Sequence, residues 1–208
     1  MVSEPQCARC TALCASRSQI VQHDFSVSGT PCPILVVGEA PGADEDAQGR
    51  GFVGRAGRTL HRLLEEQGLQ RGMDYGCANI VRCRPPDNRK PTAEEVWNCL
   101  PYLAETVMNT RPQAILLVGS TAVSVFCGTG SLSAHLEELR ENRYLPNSLL
   151  LHPLLRDSFS GDFMPRFFAI PHTSPLAWNR NTPDGRKWSD VGKEQVKLLK
   201  RYISRGEL

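Results

Sequence analysis

The chain has 208 residues; 40% are hydrophobic and 22% are charged, and 24 basic residues against 22 acidic ones leave a net charge of +2. This suits one globular domain, excludes wholesale disorder, and excludes a globally basic nucleic-acid binder while allowing a local basic face. The longest apolar runs, such as residues 114–118, are far too short to span a bilayer, and MVSEPQCARC has no basic-then-apolar leader pattern, so a cytoplasmic protein with no membrane partner is expected.

Residues 1–30 are polar and cysteine-rich, with no clear period. From Pro33 the texture changes. Ile34-Leu35-Val36-Val37, ending at Gly38, predicts a buried parallel strand. A glycine-rich loop is expected over 38–57. Leu60, Leu63, Leu64 and Leu69 then show helical spacing, with a stop at Gly68. Residues 77–81 predict a second strand, and 82–91 a proline-rich basic loop. Thr92-Ala93-Glu94-Glu95 is a capping box that opens a helix running to about Asn109. Residues 114–119 predict a third strand, with Ser120 placed to cap a short helix after it. Residues 128–165 fit the rhythm least and read as an insertion over one face of the sheet. Residues 166–170 predict a fourth strand. Val191, Val196, Leu198, Leu199 and Ile203 mark a terminal amphipathic helix over 187–205. Strand and helix alternate, so the class is α/β with a mostly parallel sheet, in a single domain over 1–208.

Four features carry chemistry. Gly38-Glu39-Ala40-Pro41-Gly42 follows a strand directly, and open α/β sheets bind ligands at the carboxyl ends of strands. Gly51, Gly54 and Gly57 precede Arg58-Thr59, but a phosphate loop needs different glycine spacing and a lysine, so that reading is rejected. Among eight cysteines, Cys7-x2-Cys10 and Cys83-x15-Cys99 have spacings that leave a metal or cluster site, a zinc knuckle and buried unliganded thiols all open. The stretch with Arg82, Arg84, Arg89 and Lys90 is opposed only by Asp87, and reads either as a solvated loop or as a basic face. Pro171-His172-Thr173-Ser174-Pro175-Leu176 follows the fourth strand, a position that raises the functional standing of His172.

In combination, GEAPGADEDAQGRGFVGRAGRTL, ANIVRCRPPDNRKPTAEEVWNC and ILLVGSTA resemble the iron–sulfur, family 4 type of uracil-DNA glycosylase. The resemblance runs almost continuously over residues 5–127 and resumes at His172. It implies a four-stranded parallel sheet between helices and a [4Fe–4S] cluster on Cys7, Cys10, Cys83 and Cys99. Cys14, Cys32, Cys77 and Cys127 match no family role. It implies that Glu39 orients water or stabilises a cationic sugar, and that His172 donates to the pyrimidine O2. Phe52 would stack on a flipped base and Asn79 would read its Watson–Crick edge, with Ala40, Gly42 and Glu45 beside it. Leu176 falls where the superfamily places a wedge. Arg84, Arg89, Lys90, Ser120, Ser174 and Arg180 are the expected DNA-facing residues. The implied protein is a monomer acting on DNA.

Several positions depart from the family pattern. Gly51 stands where the family has Pro, and His172 is followed by Thr173 where Pro is usual. Residues 177–181 and 128–165 are unusual. Gly42 lacks the tyrosine that other superfamily branches set against the pyrimidine C5, although Glu45 or the inserted segment can refill that side. The expected activity is release of uracil by a monofunctional glycosylase. The alternatives are a glycosylase for a bulky modified pyrimidine, as in anti-phage defence, and a non-catalytic iron–sulfur protein that binds nucleic acid.

Overall fold

The computed structural model describes residues 6–24, 32–140, 153–159 and 163–205. Its strands are β1 (Ile34–Gly38), β2 (Tyr75–Asn79), β3 (Ala114–Val118) and β4 (Arg166–Ile170). They form one sheet in the order β2-β1-β3-β4, parallel throughout, with Ile34 opposite both Tyr75 and Ala114. Every residue of β1, β2 and β3 is buried. That is the expected result of covering both faces of a parallel sheet with helices, and it explains why β1 and β3 read as unbroken apolar runs rather than as alternations.

Side chains alternate across the sheet, so one strand feeds two cores. Leu35 and Val37 pack with α4 (Ala93–Thr110), α5 (Ser120–Cys127), α6 (Leu132–Arg140) and α7 (Pro153–Ser158), through residues such as Leu103, Phe126, Leu136 and Leu155. Ile34 and Val36 pack on the other face with α3 (Arg55–Glu65) and α9 (Trp188–Arg205), through Leu60, Leu64, Val196 and Leu199. Each fully buried leucine of these layers contributes about 1.5–3 kcal/mol relative to exposure. The remaining helices are α1 (Thr11–Ser16), α2 (Ala43–Gln48) and α8 (Pro175–Trp178).

The structure corrects several expectations. The loop over 38–57 contains α2, and α3 begins inside its last residues. Helix α3 stops at Glu65, and Leu69 is buried from the turn beyond it. Strand β2 lies two residues earlier than expected, because Ile80 and Val81 are buried without belonging to the ladder. The cap of α5 is Gly119, with φ 86°, rather than Ser120, which is the first helical residue. Thr92 and Glu95 do form the expected capping box. The described parts of 128–165 bury Leu136, Leu139, Leu155 and Phe159 in the same core as β1, while 141–152 lie outside the described residues. Among the described residues no helix is long and apolar enough to cross a membrane.

Candidate active site

The strand order turns around at β1, with β2 on one side and β3 on the other. The crevice outside the carboxyl ends at such a reversal is the ligand position of open α/β sheets. All four strands deliver residues there: Glu39 follows β1, Asn79 ends β2, Val118 ends β3, and His172 follows β4. A pocket of about 350 Å³ occupies the crevice, and Glu39, Gly42, Glu45, Phe52, Asn79 and His172 line it. Ala40 and Arg89 line it as well.

His172 stands at the lip, exposed on one side and crowded by protein on the others. That desolvation lowers its pKa from the ordinary 6.5, and the negative charge of Glu39 works in the opposite direction. The backbone N–H of Ser174 donates to His172 Nδ1 at 3.1 Å. The proton of the neutral ring therefore sits on Nε2, and the side chain is a hydrogen-bond donor at that atom. Thr173, buried at 1% exposure, donates its hydroxyl to the Ala56 carbonyl of α3 at 2.8 Å. This bond fastens the segment after β4 to the opposite wall, and a proline at 173 could not make it. Glu39 Oε2 accepts a short hydrogen bond from the Thr121 hydroxyl of α5.

Phe52 and Asn79 form the inner wall, and Gly38 sets their separation. A Cβ built on Gly38 would lie 2.6 Å from Asn79 Oδ1 and 2.6 Å from Phe52 Cζ. No side chain fits there without moving one of them. Gly42 is not an opening in the wall. Glu45 Oε2 accepts from the Gly42 N–H at 3.1 Å and Oε1 accepts from the Gly54 N–H at 2.7 Å, so this carboxylate fills the space beside Gly42 and ties α2 to the start of α3. At Gly51 an added Cβ would meet Asn79 Nδ2 at 3.7 Å, an ordinary contact.

The basic loop is less available than its composition suggests. Arg82 is buried, with its guanidinium 3.6 Å from the centre of the Tyr102 ring. Arg89 makes two hydrogen bonds to Glu95, at 2.7 and 2.8 Å, and these hold the Glu95 carboxyl below its ordinary pKa. Lys90 is exposed, and Arg84 lies in a separate shallow depression with Ala12, Ser16 and Asp87, its Nε donating to Asn88. Leu176, on the first turn of α8, is 79% exposed. Arg180 and Ser120 are also exposed, outside the pocket.

The cysteines expected to act together meet at one pole, where α1, the basic loop and α4 converge. Arg17 donates to Cys83 Sγ at 3.0 Å and to the Cys7 carbonyl at 2.6 Å. The Arg82 N–H lies 3.4 Å from Cys99 Sγ, and Asn98 Nδ2 lies 3.6 Å from Cys10 Sγ. Cys7 and Cys83 each raise the Cys10 thiol, and Cys83 raises Cys99. Burial is the larger cause, and it pushes Cys99 up to about 11. These thiols become thiolates when a metal takes the place of the proton. Among the described residues no three His, Cys, Asp or Glu side chains close on one ion. The sulfurs of Cys10, Cys83 and Cys99 each have a hydrogen-bond donor, and at Cys7 the Arg17 bond goes to the carbonyl; four thiols are a donor set that an iron–sulfur cluster takes.

Sequence reasoning found Glu39 and His172 from their places after strands, and Phe52 and Asn79 from the family resemblance. It missed Thr121, which lies within the quoted ILLVGSTA run, and treated Thr173 only as a departure. A family model described as the uracil DNA glycosylase superfamily matches residues 26–192. A type-4 uracil-DNA glycosylase of Pyrobaculum aerophilum is 37% identical over 146 residues, 62% of this chain and 74% of that one. That of Archaeoglobus fulgidus is 35% identical over 153 residues, covering 66% and 76%. That of Thermotoga maritima is 42% identical over 120 residues, covering 57% and 60%. With the crevice built from the ends of all four strands and the match running through every one of them, the chain belongs to the uracil DNA glycosylase superfamily and, within it, to the type-4 kind.

Proposed function

We propose that the protein is a monofunctional DNA glycosylase that flips uracil out of DNA and hydrolyses its glycosidic bond. The observation that carries this reading is the single pocket shared by Glu39, Phe52, Asn79 and His172. An enzyme acting on a base must take it out of the stack and hold it. Phe52 offers a face for stacking, and the Asn79 amide supplies both an acceptor and donors for a pyrimidine edge. When the C1′–N1 bond breaks, its electron pair leaves with the base and charge gathers at O2. His172 Nε2–H is then a donor for that charge, acting as an oxyanion hole acts. The sugar becomes oxocarbenium-like, and the Glu39 carboxylate stabilises it and orients the water that supplies oxygen to C1′. Leu176, exposed on α8, would enter the vacated stack, and Arg84, Arg89, Lys90 and Arg180 would meet phosphates.

Cys7, Cys10, Cys83 and Cys99 are the residues that would hold a [4Fe–4S] cluster, whose contribution is to tie the N-terminal segment to the basic loop. The purified protein should be brown with broad visible absorption, and iron should be found by metal analysis; stoichiometric zinc without iron would reject the cluster.

The test of the activity is single-turnover release from matched duplexes carrying uracil, thymine, 5-hydroxymethyluracil or cytosine. Uracil should leave fastest, because Glu45 occupies the flank beside Gly42. Faster release of a 5-substituted base would overturn the choice of uracil, and release of no base would overturn the enzymatic reading.

A further inference from the structure

Phe52 has φ 59°, in the left-handed region that a bulky residue rarely occupies unless its surroundings impose it. What imposes it is Gly57 of the pocket lining together with Asp24, His61, Arg71 and Tyr75, which do not line the pocket. Arg71, with 14% of its side chain exposed, donates through NH2 to the Gly51 carbonyl at 2.6 Å and to Asp24 Oδ2 at 2.6 Å. Its Nε reaches the same Asp24 oxygen at 3.0 Å. Asp24 is itself fixed to the outer edge of the sheet. It exchanges backbone hydrogen bonds with Cys77 of β2, at 2.7 and 2.9 Å, and its Oδ1 accepts the Cys77 N–H at 3.0 Å. The next carbonyl, that of Phe52, lies 2.9 Å from His61 Nε2, the same nitrogen lies 2.9 Å from Arg71 Nη1, and His61 Nδ1 lies 2.8 Å from the Tyr75 hydroxyl. Gly57 closes the other side, since a Cβ there would fall 2.0 Å from the Phe52 oxygen. Two successive carbonyls are thus anchored on either side of one strained residue, and its ring is the wall of the pocket.

We propose that Asp24 and Arg71 are positioning residues for base recognition: their ion pair, through the Gly51 carbonyl, holds the Phe52 ring against the slot between it and Asn79. The inference rests on the reading of Phe52 as the stacking face. A guanidinium suits this task because its planar fork serves a carboxylate and a carbonyl at once, which a single ammonium cannot do with the same geometry. A stacking face holds the base in ground and transition states alike. Its loss therefore weakens binding more than it slows the bond-breaking step.

The test is a double-mutant cycle between Arg71→Lys and Phe52→Ala, with Asp24→Asn as a second perturbation and circular dichroism confirming the fold of each. Arg71→Lys keeps the charge opposite Asp24, so it guards against a misfolded Arg71→Ala. Two quantities are read: the Kd for a duplex with a 2′-fluorinated deoxyuridine, whose glycosidic bond resists cleavage, and the maximal single-turnover rate on uracil DNA. Phe52→Ala and Arg71→Lys should each weaken Kd by roughly tenfold, the scale of one base–aromatic stack, with a smaller effect on the maximal rate. Added to Phe52→Ala, Arg71→Lys should weaken Kd no further. A full, additive loss in the Phe52→Ala background, or wild-type Kd in both Arg71→Lys and Asp24→Asn, would overturn the inference alone. Wild-type Kd in Phe52→Ala would overturn the stacking reading first, and the inference with it.

Discussion

In the proposed reaction two side chains carry the chemistry, and each is held by a neighbour. His172 has its proton assigned by the Ser174 N–H, and Glu39 is held by the Thr121 hydroxyl. A hydrogen bond to a charged group contributes about 1.5–3 kcal/mol, so Thr121→Val should slow uracil release by roughly 10- to 100-fold. Thr121→Ser keeps the hydroxyl and should restore most of the rate. The comparison is single-turnover rates of the two variants; equal rates would mean that Glu39 needs no such support. This pair was not legible in the sequence, because the partners are 82 positions apart and meet only when β1 and β3 pair. The same holds for Asp24 and Arg71, 47 apart. Glu39 and His172 were legible, because each follows an apolar run and strand ends are where such sheets bind; Phe52 and Asn79 were legible only through the family resemblance.

The elements were legible where pattern and cap agreed. Thr92 and Glu95 announced α4, and unbroken apolar runs announced β1, β3 and β4. Strand β2 was misplaced because burial of Ile80 and Val81 imitates a strand, while Tyr75 and Gly76, which do pair, carry no strand signal. Helix α2 was hidden in ADEDAQ, six residues with too little apolar content to show a period. The glycines of the 51–57 stretch read as part of a glycine-rich loop, but Gly57 serves close packing of α3 on Phe52. Gly57→Ala should therefore destabilise the fold by about 1–3 kcal/mol or more, the range for overpacking, because the obstructing atom is backbone and cannot rotate away. Thermal or urea unfolding measures this; unchanged stability would show that α3 moves freely against the pocket wall.

At the scale of the whole molecule, the N-terminal segment joins the thiol pole to the pocket. Arg17 bonds Cys83, the Ser18 N–H donates to buried Asp46 of α2, Val21 bonds the Arg82 carbonyl, and Asp24 pairs with Cys77. His23 is half-buried in this strap, with Nδ1 2.8 Å from the Thr106 hydroxyl. Burial, aided by the nearby Arg82 charge, lowers its pKa from 6.5 to about 3. His61 and His172 are lowered too, also chiefly by burial. These rings are neutral when folded and take up protons on unfolding, so the unfolded chain binds more protons below pH 6.5. Stability should then fall as pH drops from about 6.5 toward 3, by up to about 1.4 kcal/mol per pH unit for His23 alone. His23→Gln should flatten this fall in chemical unfolding at pH 6.5 and 5, and an identical slope would place the titration elsewhere.

In the proposed reaction the crevice at the four strand ends breaks a glycosidic bond by donating to charge that appears on the base. The most direct measurement is single-turnover uracil release by the wild-type protein and by His172→Ala, with enzyme saturating and DNA affinity measured alongside. Loss of one donor to a developing oxyanion should slow release by roughly 10²–10³-fold. Affinity should stay near the wild-type value, because that charge is absent in the bound substrate. Release at the wild-type rate by His172→Ala would contradict the account.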